Sequence, residues 1–332
     1  MTALIAIATA TGLLVSTALL VAVVLFLWWL DRYDREPLVL VASVFAWGAG
    51  VAPVMSVMSF SAATAMIDGP LGTIAAAAVE ELFKAFAVVM VARYSAEFDS
   101  PTDGLVYGTA AGLGFACTEN LLIVLGRVPS GLESLIPALV LQRTLFSAGV
   151  HGLASGIVGG FVGLAHLSRG ALIKIGWTLA GLLIGTAFHG GWNAALLSTV
   201  SGSGERWPVW AAMPVLYGVY VGAFCLFLRW EHGILRDQLE QEASLQLVPP
   251  WVVDVIPFYR RRIRSEWWPR RAERVVLSRL LTRLAFRRYQ TSRLPEDEAG
   301  LASLEVVQLR GRVRRMLEPA APSPDDANVN HL

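Results

Sequence analysis

Residues 71–92 read LGTIAAAAVEELFKAFAVVMVA, a run whose only charges are Glu80, Glu81 and Lys84. As an α-helix this run is about 33 Å long, enough to cross the hydrocarbon core of a bilayer. An ionisable group at that depth is costly unless it faces a polar interior, so three of them in one span mark a candidate functional site. Whether the run lies in a membrane at all is decided by its surroundings.

Outward from it, six further stretches share its length and apolar character, at approximately 4–30, 38–66, 104–126, 135–166, 171–199 and 208–229. Polar breaks separate them, among them Asp31 through Pro37, Asp68-Gly-Pro70, Arg93 to Asp103 and Arg127 to Ser134. The 332 residues are 55% hydrophobic and 16% charged, with mean hydropathy +0.55, which is too apolar for a soluble domain of this size. The charges are also segregated. Residues 1–228 hold 9 Lys/Arg and 12 Asp/Glu, and residues 229–332 hold 18 and 14. In lipid every backbone polar group must be paired internally, so the apolar stretches are helices. The expected architecture is all-α: a polytopic transmembrane helical bundle of about seven spans over residues 1–230, then a charged tail over 231–332. The fifth stretch is long for one crossing, which Pro137 near its start or a tilt would accommodate.

Short-loop charges set the expected orientation. Arg32, Arg35, Arg93 and Arg169 fall on one side, Arg127 and Arg206 on the other, and the tail adds eleven arginines between Arg260 and Arg288. The N-terminus is therefore expected outside and the C-terminus in the cytoplasm. Within the tail, Val275, Val276, Leu280, Leu284 and Ala285 sit among arginines, the pattern of a basic amphipathic helix lying on anionic lipid. No nucleic-acid-binding module is recognisable there. Residues from Pro319 to Leu332 are expected to be disordered. Cys117 and Cys225 lie in apolar runs and read as buried small hydrophobes rather than a disulfide.

The polar residues inside the spans carry the functional reading. Beside Glu80, Glu81 and Lys84 in the third span stand Glu119 and Asn120 in the fourth. The fifth has Gln142, Arg143 and His151, and the sixth has His189 and Asn193. Glu80, Glu81 and His151 fall near mid-membrane, while Glu119 and His189 fall about 6 Å from it on a common side. Glu80 and Lys84 share a helix face, as do Phe115 and Glu119, and His189 and Asn193. Carboxylates and imidazoles at matching depths suit hydrolysis by a metal-activated or a glutamate-activated water. The zinc-protease motif HExxH is absent. Ser147 and Ser155 lack a Gly-x-Ser-x-Gly context, and the aspartates lie almost entirely in loops. Arg143 either pairs with a carboxylate or snorkels outward. The competing class is a non-catalytic membrane scaffold, or a transporter using the Glu/His cluster for structure or as a proton relay. A transporter would more often show two pseudo-symmetric halves, and no internal repeat is visible here.

Four elements in order, each in its own span, carry a resemblance. They are Glu80-Glu81-x-x-Lys84, Phe115-x-x-x-Glu119-Asn120, His151 in a glycine-rich context, and His189-x-x-x-Asn193. Together with Tyr33-Asp-Arg-Glu-Pro37 and Asp103-Gly-Leu-Val-Tyr-Gly108, they resemble the PrsW-type intramembrane proteases. That group is related to the CAAX-processing and bacteriocin-processing membrane endopeptidases. The resemblance covers roughly residues 25–195 and implies hydrolysis of a peptide bond of a membrane protein or peptide. It also implies either a metalloprotease mechanism or one centred on glutamate without a tightly held metal. The chain departs from the CAAX-processing relatives in carrying Glu119 where their second motif has histidine, and in its extra His151, which leaves the metal open.

The expected catalytic set is Glu80, Glu81, Glu119, His151, His189 and Asn193, within a core at about 71–199. Glu80 is expected as general base, and Glu81 as the group that orients an imidazole or water. Lys84, Phe115 and Asn120 play supporting parts. With a metal, Glu119, His151 and His189 would bind Zn²⁺. Without one, a histidine would help Glu80 polarise the water, and His189 with Asn193 would stabilise the oxyanion.

Overall fold

The computed structural model describes residues 2–31, 33, 35–63, 69–95, 97–127, 136–168, 170–201, 207–264, 267–268, 270–293 and 299–318. The expected disordered end, 319–332, lies outside the described residues. Among the described residues all regular structure is helical. The first helices are α1 (Thr2–Leu30), α2 (Leu38–Ala63), α3 (Gly69–Tyr94), α4 (Pro101–Arg127) and α5 (Ile136–Gln142). A single π turn (Arg143–Ser147) leads from α5 into α6 (Ala148–His166), followed by α7 (Ala171–Ser201) and α8 (Trp207–Ser244). Then come α9 (Trp251–Val255), α10 (Tyr259–Arg262), α11 (Arg271–Thr291) and α12 (Ala299–Leu317). The chain divides into two compact units, Met1–Leu228 and Arg229–Leu332.

Among the described residues, six helical segments are long and apolar enough to cross a membrane: α1, α2, α4, α5 through α6, α7 and α8. The sequence leads one to expect about seven. The difference is α3, which has the length but carries Glu80, Glu81 and Lys84 within one crossing. In the first unit, exposed side chains such as Leu14, Leu172, Leu183 and Val215 are large and apolar. An apolar exterior of that extent is matched to lipid rather than water.

The long fifth stretch is one continuous helical segment, and the π turn sits inside it. Ala148 donates its backbone N–H back five residues to the Arg143 carbonyl. Such an inserted residue rotates the side chains on either side of it relative to each other, and it recurs at functional sites.

α4 and the α5–α6 segment form the centre: most of their residues are buried, whereas few of those on α7 are. α4 begins at a capping box. Ser100 Oγ accepts the Asp103 N–H at 3.1 Å, and Asp103 Oδ2 accepts the Ser100 N–H at 2.8 Å, with Pro101 at the first helical position. Close packing of α4 on α6 follows from Gly104, Gly108 and Gly112. A Cβ at Gly108 would run into the Ser155 carbonyl, and one at Gly104 into the Gly159 carbonyl. In lipid, association of this kind rests on close van der Waals contact between small residues. α2 is pinned from both sides. Pro53 has no N–H for the Ala49 carbonyl, and Thr118 Oγ1 of α4 donates to that oxygen at 2.5 Å. Trp47 Nε1 donates to the Phe83 carbonyl of α3 at 2.9 Å.

The second unit has its own apolar interior, including Leu235, Leu239, Leu277, Leu281, Leu284 and Val313. Its buried Glu242 is paired with Arg310 at 2.6 Å and Arg288 at 2.9 Å. The apolar stripe of α11 thus has a partner inside the protein: Leu280, Leu284 and Ala285 are buried, and only Val275 and Val276 remain exposed. The sequence pattern alone assigned that whole stripe to lipid. Cys117 and Cys225 are free thiols, Cys225 exposed.

Replacing Gly108 with Val should separate α4 from α6 and cost about 1–3 kcal/mol or more by overpacking. The expected observation is a lowered Tm in detergent together with loss of activity, since α4 and α6 carry Glu119 and His151. An unchanged Tm would show that the helices do not touch at this glycine.

Candidate active site

Glu80, Glu81 and Lys84 project from α3, Phe115, Glu119 and Asn120 from α4, Arg143 from the π turn, His151 and Ser155 from α6, and His189 and Asn193 from α7. α3 and α7 meet closely beside His189, because a Cβ on Gly190 would lie 2.8 Å from the Ile74 Cα. Glycine at that position lets the two backbones approach and brings His189 to Glu81.

The hub is a fully buried ion pair, Lys84 Nζ to Glu81 Oε1 at 2.7 Å, with both side chains at 0% exposure. Glu81 is saturated with donors. Its Oε1 also meets His189 Nδ1 at 2.9 Å, and its Oε2 accepts from Ser155 Oγ at 2.7 Å. An ionised carboxylate only accepts, so His189 carries a proton on Nδ1, and in the neutral ring its Nε2 is a bare acceptor turned away from Glu81. Lys84 in turn reaches His151 Nδ1 at 3.0 Å. An ammonium only donates, so His151 accepts at Nδ1 and holds its proton on Nε2. That Nε2 lies 2.6 Å from Glu119 Oε2. Arg143 secures Glu119 from behind, with Nη2 2.8 Å from Oε2, while its Nε donates to Asn120 Oδ1 at 2.8 Å. Phe115 closes one side. Its ring centroid lies 4.3 Å from the Lys84 ammonium and 5.2 Å from the His151 ring.

Glu80 stands apart from the other two carboxylates of this network. Its Oε2 is buried and makes no hydrogen bond. Around it stand His189 Nε2 at 3.7 Å, Lys84 Nζ at 3.8 Å and His151 Nδ1 at 4.0 Å. Each separation is too long for a direct hydrogen bond and of the size that a bridging atom fills. Ligand atoms of Glu80, His151 and His189 all lie within 4.8 Å of one another. One carboxylate oxygen and two imidazole nitrogens form a donor set that suits zinc, whose bonds to such atoms are about 2.0–2.2 Å. His189 has the further mark of a metal-site histidine, a carboxylate on its other ring nitrogen. His151 Nδ1 is shared with Lys84, so Glu80 and His189 are the unencumbered donors. A cavity of about 390 Å³ lies beside Glu80 and Glu119, walled by α2, α3 and α4.

Of the residues expected from sequence, Glu80, Glu81, Lys84, Phe115, Glu119, Asn120, His151 and His189 come together in one network. Asn193 is half-buried one turn beyond His189. The donors gathered around one point are Glu80, His151 and His189. Glu119 stands on the far nitrogen of His151, outside that set. Arg143 pairs with Glu119 rather than snorkelling outward. Ser155, weighed from sequence only as a nucleophile, is a donor to Glu81. Its sequence signal was its position one turn after His151, but its acceptor lies on another helix.

Residues 36–227 match the PrsW family of intramembrane metalloproteases. The chain belongs to this family. Protease PrsW of Geobacillus kaustophilus is 32% identical over 233 residues, covering 69% of this chain and 92% of that protein. Protease PrsW of Bacillus subtilis is 28% identical over 169 residues, covering 50% and 73%. Protease PrsW of Halalkalibacterium halodurans is 28% identical over 179 residues, covering 53% and 79%. No solved structure matches the chain. The buried Glu/His cluster of this PrsW-family protein is consistent with a catalytic site for hydrolysis, with a geometry that admits metal assistance.

Removing Glu81 from this PrsW-family protein would strand the buried ammonium of Lys84. Breaking one side of a buried pair typically costs about 3–5 kcal/mol. Glu81→Ala is therefore expected to unfold at clearly lower temperature than Glu80→Ala, by thermal unfolding in detergent. Equal Tm values would deny Glu81 its place at the hub.

Proposed function

We propose that Glu80 is the general base of peptide-bond hydrolysis. The observation that carries this reading is its buried, unpartnered Oε2, facing His189 Nε2 across a 3.7 Å gap. Both atoms accept, so a water between them would hydrogen-bond to each with its two protons. Glu80 takes one proton as the water oxygen attacks the carbonyl carbon, and then delivers it to the departing amine nitrogen. Glu81, ionised and saturated, keeps His189 in the tautomer that leaves Nε2 available. Lys84 balances the negative charge of the two glutamates and fixes the His151 tautomer. Glu119 and Arg143 hold His151 from behind. Asn193, on the His189 face of α7, is the second candidate donor to the oxyanion.

Glu80 and His189, with His151, would hold a zinc ion, which when bound polarises the substrate carbonyl and the attacking water. The expected ligand set with Glu119 in place of Glu80 has less support, because Glu119 is engaged by the His151 Nε2 proton and by Arg143. A metal-free mechanism uses the same residues in the same places.

The substrate is a membrane-associated protein or peptide, as the family implies. The arginine distribution and the length of α3 support a seventh crossing at α3, an external N-terminus and a cytoplasmic C-terminus. The catalytic core then comprises about 71–199 within a bundle of residues 1–230. Residues 231–332 form the cytoplasmic part, whose exposed arginines, with Val275 and Val276, suit an anionic lipid surface. A scaffold or a transporter would leave unexplained why a buried glutamate oxygen makes no hydrogen bond while it faces the His189 Nε2 across 3.7 Å.

In liposomes, Glu80→Gln should lower cleavage of membrane-spanning peptides by about 10²–10⁴-fold with Tm preserved. Full activity would remove Glu80 from the chemistry. Metal analysis of the purified protein separates the two versions: stoichiometric zinc, lost from His189→Ala, supports the metal route. Full activity of zinc-free protein in chelator supports the other.

A further inference from the structure

Among the buried polar atoms outside the network that make no hydrogen bond, one lies beside Glu80. Ser56 on α2 is 5% exposed, and its Oγ makes no hydrogen bond. A helical serine ordinarily donates to the carbonyl four residues back. Ser43, on the same helix, does so to Val39 at 2.7 Å, but Ser56 does not. Ser56 lines the cavity of about 390 Å³ that also contains Glu80 and Glu119. The rest of that wall is apolar: Pro53 and Val57 of α2, Ala76 of α3, and Phe115, Leu122 and Ile123 of α4. Two wall residues, Val57 at 64% and Leu122 at 55%, are exposed on the outer surface of the bundle. The cavity therefore runs from the catalytic glutamate toward the lipid-facing side, between α2 and α4.

We propose that this cavity is the substrate side-chain subsite, taking one large apolar residue next to the scissile bond of a membrane-embedded segment that enters between α2 and α4, with Ser56 Oγ hydrogen-bonded to the substrate backbone. The proposal rests on reading Glu80 as the catalytic base. The largely apolar wall favours a large apolar side chain over a small one, because it offers more apolar surface to bury against. A backbone amide brought in from lipid, by contrast, needs a partner once its helix opens for cleavage, and Ser56 supplies one.

The test uses full-length protein in liposomes and synthetic single-span peptides. The cleaved bond is located by mass spectrometry, and the residue beside it is varied through Gly, Ala, Leu and Phe. Wild type should prefer Leu or Phe. Ile123→Trp, which fills the cavity, should shift the kcat/KM ratio of the Gly over the Leu peptide by about 10-fold or more. Ser56→Ala should lower kcat/KM about 3- to 10-fold on all peptides, chiefly through KM. An unchanged preference in a folded Ile123→Trp protein would overturn the subsite while leaving Glu80 its role. A second measurement needs no turnover. In protein lacking Cys117 and Cys225, the thiol of Ile123→Cys should be protected from maleimide by the Leu peptide and not by the Gly peptide. Protection without any cleavage would keep the subsite and overturn the protease reading; equal labelling with both peptides would overturn the subsite.

Discussion

The site is assembled around one interaction, the ion pair between Lys84 and Glu81 in a position with no access to water. Neither charge could remain there alone, so each is fixed by the other and by neutral partners on surrounding helices. Glu81 draws in Ser155 from α6 and His189 from α7; Lys84 draws in His151 from α6 and the Phe115 ring from α4. Three helices, α4, α6 and α7, are thereby tied to a single turn of α3. The pair also decides the proton positions on both imidazoles, because one partner only donates and the other only accepts. A charged pair of this kind adds little net stability in many proteins. Here its effect is positional: it leaves Glu80 and His189 Nε2 facing each other across a gap.

That arrangement demands helices that approach closely in lipid. The glycine stripe of α4 against α6 and the Gly190 contact on α3 provide the approach. Side chains on the outer surface are large and apolar, and those between α4 and α6 are small, so the polar residues have only the interior to occupy. The Pro53 interruption of α2, repaired by Thr118, borders the cavity where Ser56 is left without its usual carbonyl. Glu80 and Ser56 thus line one cavity.

Much of this was legible in the sequence, and for physical reasons. Apolar runs of membrane length can only be helices in lipid, and charges inside them can only face inward, so Glu80, Glu81, Lys84, Glu119, His151 and His189 stood out individually. Their depths could be computed from helix rise. What could not be read was their azimuth relative to neighbouring helices. For that reason Glu119 was expected beside the two histidines as a ligand, whereas it lies behind His151 and Glu80 lies in front. The π turn at Arg143–Ser147 has no sequence signature, so the partner of Arg143 remained open between two readings. The α11 stripe shows the same limit: its periodicity marked an apolar face, but not that the face is covered within the second unit.

The central claim is that Glu81 and Lys84 dictate which nitrogen of each histidine is protonated. Nitrogen NMR of protein labelled with ¹⁵N-histidine tests this most directly, with His151→Gln and His189→Gln assigning the signals. The expected result is His189 protonated on Nδ1 and His151 on Nε2, both disturbed by Glu81→Gln. Finding His189 with its proton on Nε2 alone, or both rings indifferent to Glu81→Gln, would contradict the account.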